Sequence, residues 1–134
     1  MGVLYDWIIT MNEETKKVKT TRPPDDVLKK ILERDTVCVY CGKKMIYPWS
    51  KSNIADSAEI EHLNHRKDWD SVGSYIRDGK DVSTIVAYCC HTCNSDRRDQ
   101  SLLEWFKTPY CTSKNIKYDT VAAFVRDYID AYEK

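Results

Sequence analysis

The chain has 134 residues, of which 42% are hydrophobic and 31% are charged. This composition excludes the low hydrophobicity and high net charge of a disordered protein, and the length predicts a single domain over residues 1–134. The chain has 21 basic residues (lysine plus arginine) and 21 acidic residues (aspartate plus glutamate), so no global positive charge attracts nucleic acid. Any such affinity must come from local basic clusters.

The sequence contains no targeting segment that we can identify. Residues 1–10 lack the basic start, long apolar run and small-residue cleavage site of a secretory signal. No apolar stretch approaches the roughly 20 residues that cross a bilayer. We therefore expect a cytoplasmic protein without a membrane partner. In that reducing compartment, the six cysteines are more typical of metal ligands than of disulfides.

The first elements can be predicted from turn residues and apolar spacing. Residues 3–10 favour a strand, and residues 12–22 favour a loop. The prolines and aspartates at 23–26 favour the start of a helix that runs to about Arg34. Residues 58–63 and 84–88 are short and aliphatic. We expect them to form two paired strands, joined by a long polar connection that carries Gly73 and Gly79.

Short helices are predicted after the second strand. Residues 94–100 favour one helix. Ser101-x-x-Glu104 has the form of a capping box, which would begin another turn that ends near Pro109. Asp119 is expected to cap a last helix that has an apolar stripe along one side.

Two Cys-x-x-Cys pairs, Cys38 with Cys41 and Cys90 with Cys93, are the strongest signal in the sequence. Four thiolates match the closed tetrahedral ligand set of a structural zinc, and Gly42 would let the backbone turn back after the first pair. Because 48 residues separate the two pairs, a substructure must lie between them. Buried free cysteines or redox thiols are the alternative, but the repeated spacing favours zinc.

Cys89 leaves the choice of ligands open, because Cys89-x-x-x-Cys93 is a second way to form a pair. The spacing of Cys90 and Cys93 repeats that of the first pair and therefore favours Cys90. Cys89 and Cys111 are then spare, and we expect them to pack in the core.

Two segments beside the cysteines carry a family resemblance. Residues 58–65 read AEIEHLNH, and residues 93–98 read CNSDRR. Together they resemble the HNH endonucleases of phages and bacteria, in which an acidic-His pair ends a strand and an Asn or His follows the last cysteine. The resemblance covers residues 27–106. It implies an α+β fold with a treble-clef-like ββα-metal core and a structural zinc, flanked by an N-terminal segment and C-terminal helices over 107–134.

The resemblance also implies an activity, the metal-dependent hydrolysis of DNA phosphodiester bonds. His62 matches the general base, and a neutral imidazole with a pKa of about 6.5 can take a proton from water at physiological pH. Glu61 and Asn94 match the positions that bind the catalytic Mg²⁺ or Mn²⁺, and both offer oxygen ligands. Glu59 shares a strand face with Glu61 and is an alternative carboxylate.

Other residues near these positions are candidates for contact with DNA. Arg97 and Arg98 follow Asn94 within one turn and would bind phosphate, with a solvated charged face as the alternative. We expect Asn94 to open its helix, where free amide groups favour phosphate. His65 is a weaker candidate for phosphate or metal, and His91 is expected to face solvent.

The sequence departs from the family pattern at two places. Many relatives carry a middle asparagine, but residues 81–85 read DVSTI, and Asp99 stands where relatives often have glycine. Neither departure removes a group that does the chemistry. The alternative function is a non-catalytic, zinc-stabilised module that binds nucleic acid or protein. The coincidence of Glu61, His62 and Asn94 favours the enzyme, since such a module does not need them together.

The resemblance places the protein in the cytoplasm of a bacterial or phage-infected cell. One active site of this type addresses one DNA strand. Double-strand cutting would therefore require a homodimer or a partner protein.

Overall fold

The computed structural model describes residues 23–63, 76–77, 80–81 and 85–134. Within these ranges, no helix is both long enough and apolar enough to cross a membrane. Several expectations concern other parts of the chain and lie outside the described residues: the strand over 3–10, the loop over 12–22, Gly73, Gly79, the segment 82–84 and the candidate ligand His65.

Helix α1 spans Asp25–Arg34, which confirms the predicted first helix. Asp25 and Asp26 place negative charge in its first turn, where the helix dipole favours it. Leu28 and Ile31 lie one turn apart on the buried side of the helix. This side faces the rest of the core.

The described strands form two small antiparallel pairs. Strand β1 (Ala58–His62) pairs with β4 (Val86–Cys90), and β2 (Ile76–Arg77) pairs with β3 (Lys80–Asp81). The pairing of β1 with β4 confirms the predicted strand pair, although β4 begins and ends two residues later than expected. Every residue of β4 is buried. This strand is therefore the centre of the fold.

The carboxylate of Asp35 attaches α1 to the outer edge of β4. It is 4% exposed and accepts a hydrogen bond from the backbone N–H of Tyr88 at 3.0 Å. Arg34 donates to the carbonyl of Val86 at 2.8 Å on the same edge. These contacts satisfy backbone groups of β4 that do not bond to β1.

Helix α2 spans His91–Arg97 and follows β4 without a loop, so the predicted start at residue 94 is wrong. The second cysteine pair lies across the strand end and the first helical turn, because its i, i+3 spacing is also that of one turn of helix. Asn94 is consequently the fourth residue of the helix and not its opening residue. The expectation that it offers free helix-end amides to phosphate is wrong as well.

The C-terminal part of the described chain is helical. Ser101 Oγ accepts a hydrogen bond from the backbone N–H of Glu104 at 3.3 Å, which confirms Ser101 as the predicted cap, whereas the Glu104 side chain bonds to Lys107. Pro109 begins a helix instead of ending one, since proline is tolerated in a first turn. Asp119 is not the cap of the last helix, because Ala122 occupies that position. The helices are α3 (Leu102–Trp105), α4 (Pro109–Lys114) and α5 (Ala123–Tyr132).

Trp105 joins these helices to the core. Its side chain is fully buried, and its ring meets that of Tyr40 edge-on with the centroids 4.9 Å apart. The indole N–H donates to Asp96 at 2.8 Å, so its polar atom is satisfied. Val125 and Ile129 of α5 are also fully buried in this core.

Arg98, directly after α2, has a backbone conformation that favours glycine. Its φ is 55° and its ψ is −127°, whereas Asn115, with φ 57° and ψ 42°, lies in the left-handed region that asparagine tolerates. Replacing Arg98 by Gly should raise the free energy of unfolding by about 1 kcal/mol, because relief of backbone strain outweighs the added freedom of the unfolded chain.

Urea denaturation measures this effect, with Asn115→Gly as the matched control. The control should gain less, since its conformation carries less strain. Equal gains at both positions, or a loss of stability in Arg98→Gly, would contradict the assignment of strain to Arg98.

Candidate functional site

Four cysteine side chains meet where the first Cys-x-x-Cys knuckle, β4 and α2 come together. The Sγ atoms of Cys38, Cys41, Cys90 and Cys93 all lie within 4.8 Å of one another. Two Zn–S bonds of about 2.3 Å at a tetrahedral angle would separate two sulfurs by about 3.8 Å, and the sulfurs of Cys41 and Cys90 are 3.9 Å apart. This four-cysteine cluster fits a structural metal such as zinc.

Gly42 shapes the first knuckle. Its φ of +77° is a conformation that side chains rarely adopt. The turn lets the Gly42 N–H donate to the carbonyl of Cys38 at 2.9 Å. The N–H of Cys41 points at the Cys38 sulfur at 3.5 Å. One amide of the knuckle thus faces a cysteine sulfur.

The four thiols are too close for all of them to ionise without a cation. Cys41 raises the pKa of Cys38, but Cys90 and Cys93 lower it, and it falls to about 7. Hydrogen bonds from Cys38 and from the second pair hold the pKa of Cys41 far below its usual value. Hydrogen bonding to Cys38 and Cys41 raises the pKa values of Cys90 and Cys93. A divalent cation would take the place of the shared protons.

Cys89 and Cys111 lie outside the cluster and are fully buried, as predicted for spare cysteines. Burial raises the pKa of the Cys89 thiol well above its usual value. It also raises the pKa of Cys111 to about 11. Both side chains are therefore protonated at neutral pH. Cys90, and not Cys89, is the residue that joins Cys93 in the cluster.

Tyr110 of α4 contacts the cluster, which the sequence does not reveal. Its hydroxyl donates to the Cys93 sulfur at 3.3 Å, and burial together with Cys93 raises its pKa. Its ring stacks on Trp105 with the centroids 6.0 Å apart. In the sequence it is one aromatic among several, and no local pattern separates it from ordinary core packing.

Two carboxylates project from β1 toward α2, since residues two apart in a strand share a face. Glu59 accepts a hydrogen bond from the Asn94 amide at 2.7 Å. Its other oxygen meets His91 Nδ1, and His91 Nε2 lies 3.2 Å from Ser95 Oγ. Glu59, the alternative carboxylate, is thus the one that touches Asn94. The expectation that His91 faces solvent is confirmed in part, because its side chain is 35% exposed, but Glu59 also contacts its ring.

Glu61, the second carboxylate on this face, belongs to a buried ion pair. It is 5% exposed, and its Oε2 accepts hydrogen bonds from the Tyr40 hydroxyl at 2.5 Å and from Arg97 Nη1 at 2.9 Å. Arg97 is 3% exposed and also donates to the carbonyls of His62 at 3.2 Å and Leu63 at 2.7 Å. The expected contact of Arg97 with phosphate is therefore replaced by one that fastens the end of β1 to α2.

The protonation states of Tyr40 and Arg97 are fixed at neutral pH. Burial, and then the charge of Glu61, raise the pKa of Tyr40 well above its usual value, so the phenol remains a donor. Burial alone would lower the pKa of Arg97, but Tyr40 and Glu61 raise it above its usual value. The guanidinium is permanently charged.

His62, the expected general base, is the last residue of β1 and is half-buried. It pairs with Val86, and strand alternation puts its side chain on the face opposite Glu61. Asn94 lies on the Glu61 side, where it contacts Glu59. Arg98 is exposed at the end of α2. The structure thus gathers Glu59, Glu61 and Asn94 between β1 and α2, whereas His62 lies at the end of β1 with its side chain on the opposite face.

Comparisons with protein-family models, with curated proteins and with solved structures found no match to this chain. A mixed α and β fold and a four-cysteine cluster suited to a metal are what the structure establishes. The nuclease assignment remains a prediction.

The metal is expected to stabilise the fold. Cys41→Ser should abolish tight binding of one zinc per chain and lower the melting temperature, because metal binding adds its free energy to that of folding. Elemental analysis and thermal melting measure the two effects. Cys111→Ala is the control, since Cys111 is buried outside the cluster, and it should retain one zinc. Equal zinc contents in the two variants would contradict the ligand assignment.

The ion pair between Arg97 and Glu61 should contribute strongly to stability. Arg97→Met leaves the Glu61 carboxylate buried without its partner and should lower the free energy of unfolding by about 3 kcal/mol. In the control Lys107→Met, the lost partner is Glu104 in a pair whose side chains are 72% and 69% exposed, so little change is expected. Urea denaturation measures both, and equally small losses would contradict the buried-pair assignment.

Proposed function

We propose that this chain is a divalent-metal-dependent endonuclease of the HNH type that hydrolyses DNA phosphodiester bonds. One observation carries the proposal: β1 ends at His62 and pairs with β4, which runs directly into α2 with Asn94, and the four-cysteine cluster lies at that junction. This order of strand, strand and helix around the metal ligands is the one that the ββα-metal core implies.

The residues between β1 and α2 suit a hard cation such as Mg²⁺ or Mn²⁺. Glu59, Glu61 and Asn94 offer oxygen ligands, and the contacts of Glu61 with the described part of the chain use only its Oε2. In this proposal Oε1 of Glu61 would bind the cation, while Arg97 keeps Oε2 in place. When bound, the ion would stabilise negative charge on the phosphate and on the leaving oxygen.

His62 would act as the general base. Its imidazole takes a proton from water, and the water oxygen forms a bond to phosphorus. The bond from phosphorus to the 3′ oxygen breaks, and that oxygen keeps the electron pair and takes a proton from solvent. The products have 5′-phosphate and 3′-hydroxyl ends. Because Arg97 binds the carbonyls of His62 and Leu63, it acts as a positioning residue for this strand end.

Arg98 would contact a DNA phosphate near this site. Its exposed side chain extends from a backbone conformation that favours glycine, which is the kind of local cost often found where a side chain serves binding. Arginine is well suited to phosphate oxygens. Double-strand cutting would require a homodimer or a partner protein. The proposed setting is the cytoplasm of a bacterial or phage-infected cell.

A non-catalytic nucleic-acid-binding module is the second candidate. The buried pair of Glu61 with Arg97 favours it, since that pair already compensates one of the two carboxylates that would hold the ion. Such a module would keep its zinc and its fold, but it would not cut.

Plasmid cleavage distinguishes the two candidates. The zinc-loaded chain should nick supercoiled DNA when Mg²⁺ or Mn²⁺ is added, and His62→Ala should reduce the rate by about 10²- to 10⁴-fold, the usual contribution of a general base. Glu104→Gln, at an exposed residue of α3, is the control and should cut normally. Thermal melting and zinc content show that His62→Ala is folded. Equal cutting by His62→Ala, or no cutting by the wild type, would overturn the proposal.

A further inference from the structure

Exposed apolar side chains are concentrated between the first knuckle and β1. Of the six large hydrophobic residues that are exposed in the described part of the chain, four lie within 46–54. Tyr47 is 57% exposed and Trp49 is 45% exposed, with Ile46 and Ile54 at 37% and 41%. We call these four residues the aromatic loop. Its rings are unusually accessible for residues that normally contribute to cores.

The backbone of the aromatic loop is held by hydrogen bonds. Ile46 donates to the carbonyl of Asp56 at 2.8 Å and accepts from the N–H of Ala58 at 2.9 Å. Ser50 donates from its backbone to Ser57 Oγ at 2.8 Å, and the Ser57 side chain is fully buried. The loop is therefore anchored at both ends to the start of β1. Its rings are presented from a defined backbone.

The aromatic loop adjoins the face of the sheet that carries His62. The ring of Tyr47 meets that of Tyr88 edge-on, with the centroids 5.9 Å apart. Tyr88 pairs with Ile60 across the strands. Because residues two apart in a strand share a face, Tyr88 and Ile60 lie on the same side as His62. A ligand bound to the loop would extend toward the proposed catalytic base.

Positive charge accompanies these rings. Residues 43–56 contain three lysines and one acidic residue. Lys43 forms an ion pair with that acid, Asp56, at 2.6 Å. Lys44 and Lys51 are exposed. The charge of this surface therefore complements a polyanion.

We propose that the aromatic loop is a stacking site for unpaired bases of a DNA strand whose phosphates contact Lys44 and Lys51. Flat faces of Trp49 and Tyr47 accept any base, and adjacent lysines follow the backbone, which is the arrangement typical of single-strand binding. The inference rests on the proposed function for its link to cleavage. It adds a preference for DNA with an unpaired stretch beside the cut. A protein partner could cover the same rings, but it would not require the lysines.

Fluorescence anisotropy with a labelled DNA tests the site in the zinc-loaded full chain. All proteins carry His62→Ala, so that the DNA is not cut during the titration. Trp49→Ala should weaken binding to a single-stranded oligonucleotide about tenfold, because it removes one stacking platform. Trp49→Phe should restore most of the affinity. Tyr132→Ala is the matched control, since Tyr132 on α5 is also 45% exposed, and it should bind normally.

Cleavage kinetics give a second measurement. They use proteins that keep His62, so that the DNA can be cut. With a partly unpaired substrate, Trp49→Ala should raise KM about tenfold and leave kcat unchanged. Unchanged affinity in Trp49→Ala would overturn the inference even if the wild type cuts DNA. The inference would also be overturned if the wild type self-associates in sedimentation experiments and Trp49→Ala removes that self-association while its DNA affinity is unchanged. Weaker binding in Trp49→Ala, together with a wild type that never cuts, would sustain the stacking site and overturn only the nuclease.

Discussion

The four-cysteine cluster is the constraint on which the rest of the structure depends. It joins Cys38 and Cys41 to Cys90 and Cys93, although 48 residues lie between the two pairs. Closing so long a loop costs chain entropy, and a metal bound by both ends would offset that cost. The closure fixes the first knuckle against the junction of β4 and α2. The aromatic loop begins beside one pair, and Asn94 follows the other.

A second link, the buried pair of Arg97 with Glu61, determines how α2 lies on β1. The Arg97 side chain is almost fully buried, and its guanidinium donates to the carbonyls of His62 and Leu63. The charge that the sequence suggests for phosphate binding is therefore used to position the strand end. In the proposal, Arg98 and the lysines near the aromatic loop, Lys44 and Lys51, contact the phosphates instead of Arg97. The proposed cation would be bound by oxygens that the pair does not use.

The sequence predicts those features that depend on local spacing. Cysteine spacing predicts the cluster, the prolines, aspartates and apolar spacing of residues 23–34 predict α1, and the Ser101 cap predicts the start of α3. The predictions from sequence are wrong where contacts between residues far apart in the chain determine a helix boundary or the burial of a side chain. Helix α5 begins after Asp119 because the N–H of Ala122 donates to the carbonyl of Val39 at 2.9 Å, a contact with the first knuckle. The burial of Arg97 depends on a partner 36 positions away, which no periodicity in α2 reveals.

In this proposal the unit of β1, β4 and α2 carries two chemically different metal sites, one for zinc and one for a hard cation. Anomalous diffraction from crystals of the zinc-loaded chain soaked in Mn²⁺ tests it most directly, because the two elements can be located separately. We expect zinc among the four cysteine sulfurs, and manganese about 2.0–2.3 Å from oxygens of Asn94 and of Glu59 or Glu61. Zinc outside the cluster, or no manganese between β1 and α2, would contradict it.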